Sequence, residues 1–415
     1  MSVHDSQDAL RRVEALGQTA VPPWLTDEAV ERVRRVEHPP FPPEEYEERL
    51  ARVRERMGAI EVDALIVFRP SSIEYLTGYH TEETAPQPLV VTANATSLYV
   101  PDLEVGRALV SATVDEIYFC SYTDALQGIR EYLDHLHSTL GPHARVGLER
   151  ADSTTPMVAI DILQENGAAI VDSNWLVERE RLVLSARELS CVERAAAITA
   201  RGQDAGIEAA GRVEATEASI AGAVSEALLR AADSASAWGP VVVAGPRAGV
   251  PHSSFRPRGL GDSPVFLEFS GTHRRYHAPV MRTLLNRPAS GREKQLAELS
   301  RTIVQAVLEN ARPGVQASTV AQIAREAIEP LPPDVVFHQL FGYPIGLAHK
   351  PHWMDGFPFH IAVTNTEELH AGMVFHIPAS LRVFGKMCIG ISQTFTIEPG
   401  GARVLTHGAT EIVTV

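Results

Sequence analysis

The stretch LSARELSCVERAAAITARGQDAGIEAA, residues 184–210, constrains the fold more than any other, because it starts a long helix at a defined residue. Ser185 and Glu188 stand at capping-box spacing, so each side chain can take an N–H group that the first helical turn leaves without a partner. The run behind them is rich in alanine, the residue with the strongest helical propensity. Patterning differs on the two sides of this helix, which places a domain boundary near residue 184.

Upstream, FPPEEYEERLARVRERMGAI (41–60) sets Tyr46, Leu50, Val53 and Met57 on one helical face, with acids in the first turn and arginines later, as the helix dipole favours. Strand-like runs at 64–68, 89–92, 97–100, 117–120 and 146–148 then alternate with amphipathic segments, the pattern of an α/β domain. Downstream, a helix carrying Ile220, Val224 and Leu228 is followed by strands near 241–244 and 265–269, helices near 291–311 and 317–328, and strands at 373–377, 388–396 and 411–415. This half reads as α+β with mostly antiparallel pairing. Three regions follow: a polar arm over 1–40, broken by Pro22, Pro23, Pro39 and Pro40 and anchored by Trp24; an α/β domain over 41–184; and an α+β domain over 185–415.

Composition narrows the function. A formal charge of -15 opposes polyphosphate binding, and no basic run with interleaved aromatics offsets it, so nucleic acid is not an expected partner. No stretch reaches the roughly 18 apolar residues of a membrane span, and the opening MSVHDSQDALRRVEALGQ is charged throughout without an apolar signal core. Cys120, Cys191 and Cys388 are widely spaced and odd in number, which suits core residues in a reducing compartment better than a disulfide framework. The expectation is a soluble, cytoplasmic protein.

Four segments of the second half carry the chemistry: GPRAGVPHSSFRP with His252, VFLEFSGTHRRYHAPVMRTL with Glu268, FGYPIGLAHKPHW with His349 and Trp353, and MVFHIPASLRVFGKMCIGISQTFTI with His376 and Gln393. Their order and spacing resemble the creatinase/prolidase/methionine aminopeptidase family over roughly residues 43–415. The resemblance implies a pita-bread fold for the C-terminal domain. In the metallopeptidases of that family two divalent ions are held by two aspartates, a histidine and two glutamates. Matched onto this chain, those positions hold Glu268, Pro279, Tyr343, Pro378 and Gln393, and only Glu268 keeps a carboxylate. Proline cannot coordinate, and Tyr343 and Gln393 are poor ligands at neutral pH, so no metal and no other cofactor is expected. A subgroup of the family works without metal, and the GYPIG and MVFHIP segments look most similar to its ectoine hydrolase branch. The resemblance thus implies hydrolysis of a C–N bond in a small cyclic amidine, guanidine or amide.

Within that resemblance His252 stands where metal-free members keep a histidine near the scissile carbon, and an imidazole can accept and return a proton near neutrality. Glu268 sits in the apolar run VFLEF, where alternation gives it the face of Phe266 and Ser270. Its carboxylate can hold a cationic substrate, add to it as a nucleophile, or simply pair with Arg274 or Arg282. Tyr276, His277, Tyr343, Trp353 and His376 are candidate pocket lining, since an aromatic wall suits a small flat cation. Arg282, His349 and Gln393 join them as substrate-binding candidates. His273 and His277 with His349 and His352 also permit a new metal site, which the lack of nearby acids or cysteines disfavours. Metal-free relatives grip a substrate carboxylate with an arginine, but none stands between Lys350 and Arg382, and His360 is the nearest substitute by position. Creatinase-type relatives close one subunit's site with the N-terminal domain of its neighbour, which implies a homodimer and makes TGYHTEETAPQP, with His80, the candidate contributor. Two alternatives stay open: an Xaa-Pro metallopeptidase, and a non-catalytic or biosynthetic lyase or cyclase that kept the pocket.

Overall fold

Upstream of residue 181 the alternating pattern folds into one seven-stranded sheet. Its strands are β1 (Val13–Ala15), β2 (Ala64–Val67), β3 (Leu89–Thr92), β4 (Thr96–Pro101), β5 (Glu116–Cys120), β6 (Arg145–Leu148) and β7 (Ala169–Asp172), in the order β1-β5-β4-β3-β2-β6-β7. The β2-β3-β4 segment is antiparallel and the other pairings are parallel. All four residues of β2 are buried, as a strand covered on both faces requires. The computed structural model describes residues 9–17 and 19–415, and the chain divides into two units, Met1–Glu180 and Arg181–Val415.

The expected arm does not stand apart. Val13–Ala15 pairs in parallel with Ile117–Phe119, so from Ala9 onward this segment belongs to the first unit; residues 1–8 and 18 lie outside the described residues. Three residues are too few to carry a readable period. Trp24 is 57% exposed, its ring resting over Gly106; Leu25 and Val30 are the buried residues here, at a helix Asp27–Arg34 that Thr26 caps by accepting from the Ala29 N–H.

In the second unit β8 (Val241–Ala244), β9 (Val265–His273) and β10 (Tyr276–Leu285) form an antiparallel ladder, to which β17 (Val413–Thr414) adds in parallel. A second sheet runs β11 (Tyr343–Pro344), β12 (Val374–Ile377), β15 (Gln393–Glu398), β16 (Gly401–Val404), and β13 (Ser380–Val383) pairs with β14 (Met387–Gly390) as a separate hairpin. The single strand expected over 388–396 is therefore two, interrupted at Ile391 and Ser392. There the chain turns its backbone to β10, and the Ser392 N–H donates to the Met281 carbonyl. Each sheet is backed by a helix pair. Ala186–Ala210 and Glu217–Ala231 pack Ile198, Ile220 and Val224 against Leu267 and Phe269, while Gly291–Asn310 and Ala317–Glu326 pack Ile303, Val307 and Val320 against Phe375 and Phe395. The opposite faces of the strands are left to bound the site.

Local signals explain this placement. Ser185 Oγ accepts from the Glu188 N–H at 3.2 Å and Glu188 Oε2 accepts from the Ser185 N–H at 2.9 Å, closing the capping box. The Tyr276 hydroxyl donates to the other Glu188 oxygen at 2.8 Å, tying the helix to β10. At the β9–β10 turn Arg274 and Arg275 both have positive φ (50° and 60°), a type I′ turn that Asn-Gly normally fills. Asp233 Oδ1 and Ser234 Oγ accept the N–H groups of Arg274 and Arg275 and hold the turn. The long helix meets β9 at Gly271, where an added Cβ would lie 2.5 Å from the Thr199 nitrogen and 2.6 Å from the Ala195 carbonyl oxygen. Both are backbone atoms and cannot yield alone. Gly271→Ala is expected to cost about 1–3 kcal/mol, read as a lower denaturant midpoint at unchanged m-value.

Candidate active site

A cavity of about 130 Å³ opens where β9, β10, β11, the β13 hairpin and the loops after residues 249 and 336 converge. Glu268, His252, His338, His352, Tyr343 and Arg382 line it, with Met281, Pro378 and Ser380. Hollows of about 430 and 500 Å³ in the first unit are larger, but neither brings a carboxyl and an imidazole together. Chemistry, not size, selects the smaller one.

Glu268 is 5% exposed, and its strand partners are Met281 on β10 and Val241 on β8. Burial in this apolar setting pushes its carboxyl up to about 7, although the Arg382 guanidinium pulls the other way. Arg274 and Arg282 form no ion pair with it. Arg282 is wholly buried and instead donates to the carbonyls of Met281 and Ser392, each at 2.8 Å.

His252 sits at the cavity mouth, exposed, with φ 58°. Left-handed backbone at a residue with a Cβ costs on the order of 1–2 kcal/mol, and the conformation carries the ring over Trp238, centroids 5.2 Å apart. Partial burial, with Arg382 and His338 nearby, holds its pKa below the ordinary imidazole value. His352 is different. The Met354 N–H donates to its Nδ1 at 3.0 Å, which fixes the proton on Nε2, and burial drops its pKa to about 4. It is a donor, not a base.

Arg382 is 5% exposed, spans the Phe266 ring at 5.1 Å and donates from one nitrogen to the Ala248 carbonyl at 2.9 Å; its Nε is buried without an acceptor. Behind Tyr343 a buried chain runs from Trp353 Nε1 to Tyr343 Oη at 2.9 Å, to His376 Nδ1 at 2.6 Å, then from His376 Nε2 to Ser392 Oγ at 2.7 Å.

Three sequence candidates therefore meet in the cavity: His252, Glu268 and Tyr343. Others lie behind its wall or away from it, because they satisfy polar groups of the framework. Tyr276 holds Glu188; His277 accepts from the Ala237 N–H at 2.9 Å; Arg282 ties β10 to the break before β15; Trp353 and His376 hold Tyr343; Gln393 accepts from Thr406 Oγ1 at 2.7 Å. His349 and His360 are half-buried and off the cavity lining, and His80 belongs to the first unit. His338 and Arg382 have no place among the sequence candidates, and His352 has one only as a possible metal ligand. Only Arg382 left a signal: in SLRV it alternates with Ser380, so both can face the same side of a strand.

The family comparison fits this architecture. Residues 49–183 match the creatinase/prolidase N-terminal domain, and residues 190–401 match metallopeptidase family M24, about half of the chain. The chain belongs to metallopeptidase family M24. An uncharacterized hydrolase/peptidase of Sinorhizobium fredii is 27% identical, covering 90% of this chain and 98% of its own. The ectoine hydrolase of Halomonas elongata is 26% identical (88% and 96%), and the Xaa-Pro dipeptidase of Pyrococcus horikoshii is 21% identical (88% and 99%). The crystal structure of the prolidase from the latter organism matches with a TM-score of 0.75 at 20% identity, covering 88% of this chain and all of that one. The M24 member thus has an α/β N-terminal domain and a C-terminal pita-bread domain, in a family of hydrolases and peptidases. No described helix is long and apolar enough to cross a membrane.

The two ions of M24 metallopeptidases do not suit the residues at the matched positions. Pro279 and Pro378 offer no side-chain donor, the Tyr343 oxygen is engaged by Trp353 and His376, and the Gln393 oxygen is engaged by Thr406. Among the described residues no group of three or more His, Cys, Asp or Glu is arranged to hold a metal ion.

Proposed function

We propose that this M24 member hydrolyses a C–N bond of a small nitrogen-rich compound without a metal ion, with His252 and Glu268 exchanging the protons. The observation carrying the reading is that His252 and Glu268 line one cavity; the imidazole, held below its usual pKa, is neutral and free to take a proton, and burial raises the carboxyl to about 7, so that it can hold a proton to give. Water adds its oxygen to the substrate carbon while His252 takes one water proton; the C–N bond breaks and its electron pair takes the proton of Glu268. Transfer from His252 to Glu268 through solvent restores both. The acid role is preferred over nucleophile or cation holder because both of those need an ionised carboxylate, which burial opposes. Arg382, one donor engaged and Nε without an acceptor, would receive an anionic group of the substrate.

Xaa-Pro peptide hydrolysis is the second reading, favoured by the likeness to the Pyrococcus dipeptidase. Proton NMR of ectoine, creatine, cyclic amides and Xaa-Pro dipeptides, each with and without manganese, separates the two. Turnover of a non-peptide compound that survives chelator supports the metal-independent reading. Cleavage of the dipeptides alone, and only with manganese, supports the other. A homodimer in which the segment bearing His80 reaches the neighbouring copy's site belongs to the same proposal, and sedimentation equilibrium showing a monomer would remove it.

A further inference from the structure

The hydrogens behind the cavity can be assigned one by one, because each group in the chain has a fixed capacity. The Met281 N–H, 2.6 Å from Ser392 Oγ, can only donate. So can the Trp353 indole N–H, 2.9 Å from Tyr343 Oη. His376 stands between these two oxygens and is fully buried. Burial, with the Arg282 guanidinium close by, keeps its imidazole neutral, so one ring proton serves two nitrogens.

Two arrangements remain. With the proton on Nε2, Ser392 Oγ accepts from both His376 and Met281, and the Ser392 hydrogen is stranded in a residue with no solvent exposure. An unsatisfied buried hydroxyl loses what a hydrogen bond to water would have given it. With the proton on Nδ1, Ser392 donates to Nε2, and His376 and Trp353 both donate to Tyr343. The Tyr343 oxygen is then filled, and its own hydrogen is left for the cavity that Tyr343 lines. This second arrangement leaves one hydrogen on a residue that lines the cavity rather than on one sealed behind it.

We propose that Tyr343 is a fixed hydrogen-bond donor to the substrate, oriented by Ser392 and His376, and that the cavity therefore selects a compound presenting a lone pair there. The class is an amide or lactam, through its carbonyl oxygen, or an uncharged imine; the edge of a guanidinium or amidinium offers only donors and would be refused. Ser392 and His376 are positioning residues. The inference rests on the cavity being the active site and narrows the substrates open to it. Burial and the neighbouring Glu268 keep the phenol protonated, so donation persists across the working pH range.

Neutron diffraction from deuterated crystals tests the proton positions without any substrate. Deuterium on His376 Nδ1, and on Ser392 Oγ toward Nε2, is expected; deuterium on Nε2 overturns the proposal. Ligand-observed NMR supplies the second arm, with pyrrolidinone as the acceptor probe and acetamidinium as the donor-only probe. Wild type should bind pyrrolidinone and show no saturable binding of acetamidinium; Tyr343→Phe should weaken pyrrolidinone by about tenfold, and Ser392→Ala should weaken it by a smaller factor. Acetamidinium binding as tightly as pyrrolidinone, or no loss for pyrrolidinone in Tyr343→Phe, overturns it. Neither readout needs turnover, so failure of the hydrolase reading stays distinguishable from failure of this one.

Discussion

Glu268→Gln abolishes most turnover and at the same time stabilises the protein at neutral and alkaline pH. The amide keeps the shape but cannot give a proton to the leaving nitrogen, so kcat is expected to fall on the order of 10²–10⁴-fold. The stability gain follows from linkage. The folded carboxyl is raised from 4.5 to about 7 by burial, so the folded state holds its proton longer than the unfolded one. The contribution of this group is therefore largest below pH 4.5, is lost as pH rises from there through about 7, and changes no further above that. The loss amounts to on the order of 3 kcal/mol, and the glutamine variant does not suffer it. Thermal melts should coincide at pH 4 and separate by several degrees at pH 8, with the variant higher. A variant that is inactive but no more stable at pH 8 would mean that Glu268 is ionised and satisfied in the folded state.

His252→Gln should show the reverse pairing, a large loss of activity with little change in stability. The residue lies at the surface and makes no hydrogen bond with the described residues, so losing its ring contact with Trp238 should move unfolding free energy by no more than about 1 kcal/mol. Loss of the base should lower kcat about 10²–10³-fold. The pH profile of kcat/KM adds a second check. In the wild type it should fall on the acid side below the ordinary imidazole pKa, as His252 protonates, and on the alkaline side through about 7, as Glu268 loses its proton. In the variant the acid limb should vanish while the alkaline limb stays. Persistence of both limbs would assign the base elsewhere, although His352 cannot serve through Nδ1 while that nitrogen accepts from the Met354 N–H.

Features written in neighbouring residues were legible in the sequence. The Ser185–Glu188 box, the β9–β10 hairpin and the face shared by Phe266, Glu268 and Ser270 depend on spacings of two to four residues, and the structure has each of them. What could not be read was convergence. Arg382 reaches the cavity from a four-residue strand whose partner comes after a short turn, and its donor to Ala248 spans a separation of 134 residues. His338 and His352 arrive on irregular segments with no period to read. The aromatic candidates were placed one layer too far forward: Trp353 and His376 are the right types for a pocket, but each has a polar atom that a buried neighbour satisfies, and that need fixed their position. Tyr343 shows the other side of the same rule, since the bonds that restrain its oxygen leave its hydrogen for the cavity.

In the proposed mechanism one acid and one imidazole manage protons in a cleft whose inherited metal positions hold two prolines, a tyrosine and a glutamine. Metal analysis of protein expressed and purified with manganese, then dialysed against chelator and assayed on a substrate found by the NMR panel, tests it most directly. The expected result is well under one ion per chain and a rate unchanged by dialysis. Two tightly held ions per chain, with activity lost on their removal and regained on their return, would contradict it.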